Sequence, residues 1–253
     1  MRTLDHASSA RVVPNDEGTG ISPDRRLPTL IRSLFQPPPH GMIALLRGSR
    51  MVIPLATFAA GLYALKRQKV LLVDAGNSTD PYIVSRLALA ARQDPEPVLS
   101  RIHVIRTFTV HQLAALAFHR LMPFIRDHAP GLVILSGATS LFADANVPYK
   151  EASWLLKEIA AEVKRQAEGG CKVLVAAADA PVESGRRNLH LPWLHVASRS
   201  IRVDPSMNSG QGPSTGLPRA ESRGSGQALV FRHEKPLSRR IETVPMDHFL
   251  PFV

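Results

Sequence analysis

Five short apolar segments recur along this chain, separated by longer segments with helical periodicity. Each is an unbroken apolar run rather than an alternating pattern, which is typical of strands buried on both faces. They cover residues 42–46, 69–74, 101–105, 131–135 and 171–177. This order predicts an α/β fold, in which a mostly parallel central sheet carries helices on both faces.

The intervening segments predict four helices, over residues 54–65, 81–91, 110–127 and 147–168. Pro54 and Pro81 suit first-turn positions, where a missing N–H costs nothing, and Asp80 is a candidate cap for the second helix. In the last helix we expect Trp154, Leu155, Ile159 and Val163 to face inward.

Beyond residue 194 the pattern changes. Residues 194–203, 228–232 and 239–244 resemble antiparallel strands, with residues 233–238 as the turn between the last two. Residues 205–226 are dense in Ser, Gly and Pro, so a mobile loop is expected there. The predicted organisation is an N-terminal arm (1–40) with one possible short helix, then a core domain (41–253) that contains a mobile loop (204–227).

The formal charge of +10 and the pI near 10.4 favour a polyanionic partner such as nucleic acid, although arginines on a solvated surface give the same sum. A single cysteine, Cys171, excludes an internal disulfide and is expected in the core rather than as a nucleophile. The longest apolar stretch, 51–65, is shorter than the roughly 20 residues that a bilayer requires. A cytoplasmic protein without a membrane partner is expected.

Residues 42–65 have the order strand, polar loop and helix that phosphate-binding loops use. A Walker A loop reads G-x-x-x-x-G-K-[ST], and counting back from the helix places its lysine on Val52 and its hydroxyl on Ile53. A weak remnant is conceivable at Arg47, Gly48, Ser49 and Arg50, beside the start of the helix. The alternative is that the two arginines are solvated loop charges.

The succession MIALL, KVLLVDAGNSTDPYIVSRLA, RIHVIRTFTVHQLAALA, GLVILSGATSLFADANVPYKEA, CKVLVAAADAP and LPWLHVASRSIRV resembles the ATPase core of RecA-like recombinases. The resemblance is to the archaeal and eukaryotic RadA-type branch and its paralogs, and it covers about residues 41–245. It implies a three-layer αβα RecA-like P-loop NTPase fold with antiparallel C-terminal strands. In that family the fold binds ATP between subunits along a DNA filament.

The Walker A and Walker B motifs of that family are degenerate here. Where the family carries a magnesium-organising aspartate this chain has Ser136, and where it carries a catalytic glutamate this chain has Gly76, two positions after Asp74. With Val52 in the lysine position, three charged positions are neutral. We therefore expect no catalytic residues and no metal site, and ATP as a doubtful ligand of the Arg47–Arg50 loop and Asp74.

Other strand-end residues offer weaker candidates. Asp74, Asp80, Asp144 and Asp179 lie at or just past predicted strand ends, the edge where open α/β sheets bind ligands. They can assemble a metal or acid/base site, but acidic residues in such loops are commonly helix caps.

The segment after the fifth apolar run is where the resemblance implies a DNA-contacting loop. Arg186, Arg187 and His190 supply positive charge there, and Trp193 can stack or else lie in the core. Arg199 and Arg202 add to the predicted DNA-binding set.

Three functions follow as hypotheses. The first is a non-hydrolysing RecA-like accessory protein in DNA recombination or repair, which binds DNA, a catalytic RecA-like paralog or copies of itself. The second is a divergent DNA-dependent ATPase that is active only with a partner subunit. The third is a structural docking subunit without DNA binding, in which apolar Val52 and Ile53 are buried against a protein.

Overall fold

A computed structural model describes residues 41–180, 184–186, 188–206, 228–235 and 241–245. The expected arm (1–40) and residues 207–227 of the expected loop lie outside the described residues. The strands are β1 (Ile43–Gly48), β2 (Val70–Ala75), β3 (Ile102–Thr107), β4 (Leu132–Ser136), β5 (Val173–Ala178), β6 (Arg199–Pro205), β7 (Ala228–Lys235) and β8 (Ile241–Pro245). The helices are α1 (Val52–Leu65), α2 (Pro81–Ala90), α3 (Pro95–Leu99), α4 (Val110–Ala115), α5 (Leu121–His128), α6 (Ala138–Phe142), α7 (Tyr149–Glu168) and α8 (Leu191–Val196), and a π-helical turn, Leu116–Arg120, joins α4 to α5.

The described strands form one eight-stranded sheet in the order β3-β2-β4-β5-β1-β6-β7-β8. The pairs from β3 to β6 are all parallel, whereas β7 runs antiparallel to both β6 and β8. This confirms the predicted α/β class, with a mostly parallel sheet and an antiparallel C-terminal part.

The prediction of an antiparallel strand over residues 194–203 was confirmed for residues 200–203, which pair antiparallel with β7, and wrong for residues 194–196. Residues 194–196 end helix α8, because Pro192 suits its first turn and a short apolar run does not distinguish strand from helix. Strand β6 begins only at Arg199 and is parallel to β1 on one side; its antiparallel neighbour is β7.

Helices cover both faces of the sheet, which makes a three-layer α/β arrangement. Helices α1 and α2 pack on one face and α3 extends this layer, while α4 to α8 pack on the other. Helix α1 is buried over almost its whole circumference, including Val52 and Leu55 in its first turn. None of the described helices is both long enough and apolar enough to cross a bilayer.

Two details of the predicted helices were wrong. Trp154 is 59% exposed and does not face inward, although Leu155, Ile159 and Val163 on the same helix are buried.

Residues 110–127 are not one continuous α-helix, because the π-helical turn Leu116–Arg120 interrupts it. Pro123 has no N–H to donate to the carbonyl four residues earlier, and this favours a local change of helical register.

Asp80 caps α2 as predicted. Its carboxylate accepts a hydrogen bond from the Tyr82 N–H at 2.9 Å, and Pro81 follows as the first helical residue. The same arrangement recurs at α3, where Asp94 accepts from the Glu96 N–H at 3.2 Å. The first of these caps fixes the loop that follows β2, and the second fixes the approach of the chain to β3.

Candidate functional site

Strand β1 and helix α1 meet through a link of only three residues, Ser49 to Met51. The link is held against the end of β6, since the Ser49 N–H donates to the Val203 carbonyl at 2.8 Å. Gly48 has φ +120°, and a Cβ at this position would lie 2.3 Å from the Val203 carbonyl oxygen. Only glycine allows β6 to approach β1 this closely.

Three N–H groups at this link and at the start of α1 are used within the chain. Besides the Ser49 N–H, the Val52 N–H donates to the Ser49 carbonyl at 3.1 Å and the Ile53 N–H donates to the Arg50 carbonyl at 3.2 Å. Pro54 has no N–H to offer. A phosphate-binding loop needs several such groups pointing at the ligand, and this link does not present them in that way.

Arg47, a predicted phosphate ligand, is 9% exposed. Its guanidinium donates through Nε to Glu234 Oε2 at 2.7 Å and through Nη2 to Glu234 Oε1, and Asp179 lies 3.7 Å away. Arg50 is exposed and lies beside the cleft described below. The two arginines of the predicted remnant therefore have different environments, and Arg47 is held by carboxylates.

Asp74, at the end of β2, is completely buried and closes its own loop. Its carboxylate accepts from the N–H groups of Ser78 at 2.9 Å and Thr79 at 3.1 Å, and Arg106 Nε lies 3.7 Å away. These contacts account for both of its oxygens. Among the described residues, Asp74 therefore acts as a structural acceptor for the β2–α2 loop.

The two neutral positions that the sequence singled out lie near this loop. Gly76 is part of the loop that follows β2, with φ +107° and open space where a Cβ would be. Ser136 is the register partner of Asp74 on β4 and is fully buried. Its hydroxyl has no hydrogen-bond partner among the described residues. Neither position carries a charge that could organise magnesium or activate water.

An open cleft of about 400 Å³ lies at the carboxyl ends of the parallel strands, next to the β1–α1 link. Open α/β sheets commonly bind ligands at this edge. Apart from Arg50 and Asp179 the wall carries no charge, and most of its side chains are small or apolar. The lining residues are Arg50, Ile53, Pro54, Ala75, Gly76, Ser78, Ser140, Ala143, Ala178, Asp179 and Ala180.

The chain matches no known family model and no curated protein. The cleft and the residues around it are therefore interpreted from their own geometry.

A network of charged side chains crosses β1, β6 and β7 beside the cleft. Glu234 receives hydrogen bonds from Arg47 and from the Ser200 hydroxyl, the latter at 2.9 Å. Burial alone would raise the pKa of Glu234. The hydrogen bonds and charge of Arg47, with Ser200 and Arg202, outweigh burial and lower this pKa from 4.5.

The same network holds Arg202. Its guanidinium donates to Asp179 Oδ2 through Nη2 and to Asp204 Oδ1 through Nε, both at 3.0 Å. Burial would lower its pKa, but Asp204 and Asp179 raise it, so the group stays charged. Sequence analysis singled out Arg202 and Asp179 separately and missed that they are paired. The signal available was their place at the ends of two strands that both neighbour β1.

The predicted DNA-binding residues have dissimilar environments. Arg186 is 9% exposed, and its guanidinium donates to the carbonyls of Phe142 at 2.8 Å and Val147 at 2.5 Å, so it holds two backbone segments together. His190 and Arg199 are half-buried. Arg187 lies outside the described residues. Trp193 is fully buried, which agrees with the alternative that it belongs to the core.

The aspartates at the strand ends do not gather into one metal site. The part of the chain described by the structure contains no group of three or more His, Cys, Asp or Glu side chains placed to hold a metal ion. Asp80 caps α2, and Asp144 accepts from the Asn146 N–H at 2.9 Å. Cys171 is half-buried, and burial raises the pKa of its thiol.

Proposed function

We propose that this chain is a RecA-like accessory protein that does not hydrolyse ATP and that acts in DNA recombination or repair. It binds DNA, a catalytic RecA-type partner, or both. Support for the RecA-like part comes from the sequence resemblance together with a mostly parallel sheet that ends in antiparallel strands. Fold alone does not specify activity, so the non-hydrolysing part is argued from the site.

The observation that carries the proposal is the three-residue link between β1 and α1. A Walker A loop has four residues between its glycines and then a lysine and a hydroxyl, and its N–H groups surround the phosphates. Here the link is shorter, and the N–H groups of Ser49, Val52 and Ile53 donate to carbonyls of the chain. The link is therefore too short to surround a triphosphate, and three of the N–H groups beside it already have acceptors.

The uncharged residues Val52, Ser136 and Gly76 also argue against nucleotide binding. Each lost charge-assisted contact weakens binding by about 1.5–3 kcal/mol, and Val52 stands in the lysine position inside the core. Ser136 and Gly76 leave the metal and the attacking water without a charged partner. Together these losses remove both the affinity for nucleotide and the catalytic electrostatics.

A nucleotide titration tests this part of the proposal. The full chain is titrated with a fluorescent ATP analogue, with and without Mg²⁺, beside the Arg50→Ala variant. We expect no saturable binding below about 1 mM, no effect of Mg²⁺ and no change in the variant. Tight magnesium-dependent binding, weakened by Arg50→Ala, would overturn the proposal in favour of the partner-dependent ATPase.

The DNA part is tested by a titration with duplex DNA at two salt concentrations. Binding through phosphate contacts weakens steeply with salt, with a slope of about −0.9 for each phosphate neutralised. We expect such a slope for the full chain. A chain that binds neither DNA nor a RecA-type recombinase would contradict the proposal.

A docking subunit without DNA binding is the second candidate, and the wall of the cleft favours it. Small and apolar side chains such as Ile53, Pro54 and Ala178 suit contact with a protein better than contact with phosphate. Ala143→Arg, at a half-buried position of the wall, should block such docking. If this variant loses a co-purifying partner while the wild-type chain shows no salt-dependent DNA binding, the second candidate replaces the first.

A further inference from the structure

At the carboxyl edge of the sheet, positive charge is balanced by carboxylates. Two guanidinium groups, those of Arg47 and Arg202, face three carboxylates, those of Asp179, Asp204 and Glu234. Paired charges at these distances largely cancel each other's field outside the protein. This network therefore gives a polyanion little to bind.

The opposite, amino edge of the sheet is different. A basic residue stands immediately before each of three parallel strands: Arg101 before β3, Lys69 before β2 and Lys172 before β5. The strand order β3-β2-β4-β5 places them in one row. Neighbouring strands lie about 4.8 Å apart, so the row extends over roughly 15 Å.

Backbone hydrogen bonds fix the three positions in this row. The carbonyl of each basic residue accepts a hydrogen bond from a backbone N–H of the neighbouring strand or of the residue just before it. The donors are the Val70 N–H to Arg101 at 2.9 Å, the Gly131 N–H to Lys69 at 2.8 Å and the Val133 N–H to Lys172 at 2.9 Å. The row is thus part of the sheet rather than of a loop. Its geometry is set before any ligand arrives.

The cations of this row are not balanced as those of the other edge are. Lys69 is exposed and Lys172 half-exposed, and within the described residues neither forms an ion pair. Arg101 donates through Nη1 to the Pro97 carbonyl at 2.6 Å, and no carboxylate of the described residues pairs with it.

Carboxylates at the end of α7, near the same edge, are already paired. Glu162 accepts from Arg165 at 2.7 Å, and Glu168 lies 3.7 Å from Lys164. Asp127, in the last turn of α5, is an exposed acidic side chain at this edge. Basic residues at helix ends complement the helix dipole, but Lys69 and Lys172 precede strands, so the dipole does not explain them.

Two histidines lie beside this row. His103, on β3, lies against His128 at the end of α5, with 4.9 Å between ring centroids. Burial lowers the pKa of His103, and the nearby charges of His128 and Lys69 lower it further. The lowered pKa favours the neutral form of His103, so the positive charge at this edge comes from the lysines and the arginine of the row.

We propose that the amino edge of the sheet, defined by Arg101, Lys69 and Lys172, binds the phosphate backbone of nucleic acid. Contacts of this kind position a protein on DNA without reading its sequence. The inference rests on the proposed function only in taking DNA as the partner. The residues that define this edge lie outside the DNA-binding set predicted from sequence; of that set, Arg199 is the first residue of β6 and also lies at the amino edge.

The test compares three double variants of the full chain that remove the same charge. Lys69→Gln with Lys172→Gln changes the row, Arg187→Gln with Arg202→Gln changes two residues of the DNA-binding set predicted from sequence, and Lys150→Gln with Lys157→Gln changes exposed lysines of α7 as a control. Affinity for a duplex of about 30 base pairs is measured between about 50 and about 200 mM salt. The first variant should reduce the magnitude of the salt slope by about 2 and weaken binding at least about tenfold, and the other two should change it little.

A variant with both lysines replaced by arginine distinguishes loss of charge from loss of folding. Lys69→Arg with Lys172→Arg should bind the duplex as the wild-type chain does, because charge is retained. Equal slopes for the row and control variants would overturn the inference, as would a slope that depends on Arg187 and Arg202; in both cases the proposed function would stand. Preference for polyglutamate or for anionic vesicles over the duplex would also overturn it, since the partner would then be of another class. Absence of duplex binding in every form would remove both the inference and the DNA part of the proposed function.

Discussion

Arg47 in β1 and Glu234 in β7 are joined by a two-point ion pair that passes over the intervening strand β6. Both side chains are largely shielded, with 11% and 23% of their surface exposed. The pair links the parallel part of the sheet to its antiparallel part. Arg47 therefore binds a carboxylate, although the sequence predicted it as a phosphate ligand.

Glu234→Gln should lower the free energy of unfolding by about 1–2 kcal/mol, because it removes the charge from a hydrogen-bonded pair and leaves Arg47 uncompensated. Glu158→Gln, at an exposed position of α7, removes the same charge and should have little effect. Urea unfolding of both variants measures the difference. Equal midpoints would mean that the pair contributes nothing to stability.

The lowered pKa of Glu234 also predicts a dependence on pH. The folded state binds a proton at Glu234 less readily than the unfolded chain, whose ordinary value is 4.5. The contribution to stability is therefore complete above about pH 4.5 and is lost as pH falls through the lowered value. The stability difference between the wild-type chain and Glu234→Gln should narrow over that acidic range, and a constant difference would argue against the assignment.

Gly48→Ala should be much more destabilising than Gly76→Ala. Both glycines have positive φ, at +120° and +107°, but an added Cβ meets the Val203 carbonyl only at Gly48. Strain at positive φ accounts for about 1–3 kcal/mol in each variant, and the close contact adds about 1–3 kcal/mol at Gly48. Thermal and chemical unfolding of the two variants distinguish the backbone strain from the contact with the Val203 carbonyl. Similar losses would indicate that β6 is free to move away from β1.

Arg186→Met should reduce stability by about 2 kcal/mol, because the carbonyls of Phe142 and Val147 lose a charged donor. The salt slope of duplex binding should stay the same, since this guanidinium points into the protein. A variant with normal stability and weaker DNA binding would return Arg186 to the DNA-contacting role predicted from sequence.

The lowered pKa of His103 predicts a further loss of stability as pH falls, at higher pH than the loss from Glu234. Its folded pKa lies below the ordinary 6.5, first through burial and then through His128 and Lys69, so the unfolded chain binds the proton more readily. Stability should therefore decline as pH falls below about 6.5 and through the lowered value. His103→Gln should remove this part of the decline, as measured by unfolding midpoints across that range, and an unchanged profile would contradict it.

The sequence predicted the parallel strands and most helices because buried strands are mainly apolar runs and because Asp80-Pro81 marks the start of α2. Helix α3 begins with the same pair, Asp94-Pro95, and was not predicted. It did not predict the exposure of Trp154, since helical periodicity identifies a face but not where the neighbouring helices end. The π-helical turn was missed because Pro123 follows the irregularity rather than lying within it.

The candidate site was less predictable than the fold. The absence of charge at Val52, Ser136 and Gly76 was evident from the sequence, but the pairing of Arg47 with Glu234 joins residues 187 positions apart. No pattern of neighbouring residues in the sequence indicates such a pair. The prediction that Arg186 contacts DNA failed to anticipate its environment for the same reason. The carbonyls that its guanidinium binds, those of Phe142 and Val147, are distant in the sequence.

The short connection between β1 and α1 limits what substitution can do at this edge of the sheet. A loop long enough to surround a phosphate would need several inserted residues where the Ser49 N–H now binds the Val203 carbonyl. Exchanging side chains one at a time cannot supply that length. New properties are therefore more accessible to this chain through its surfaces than through this connection.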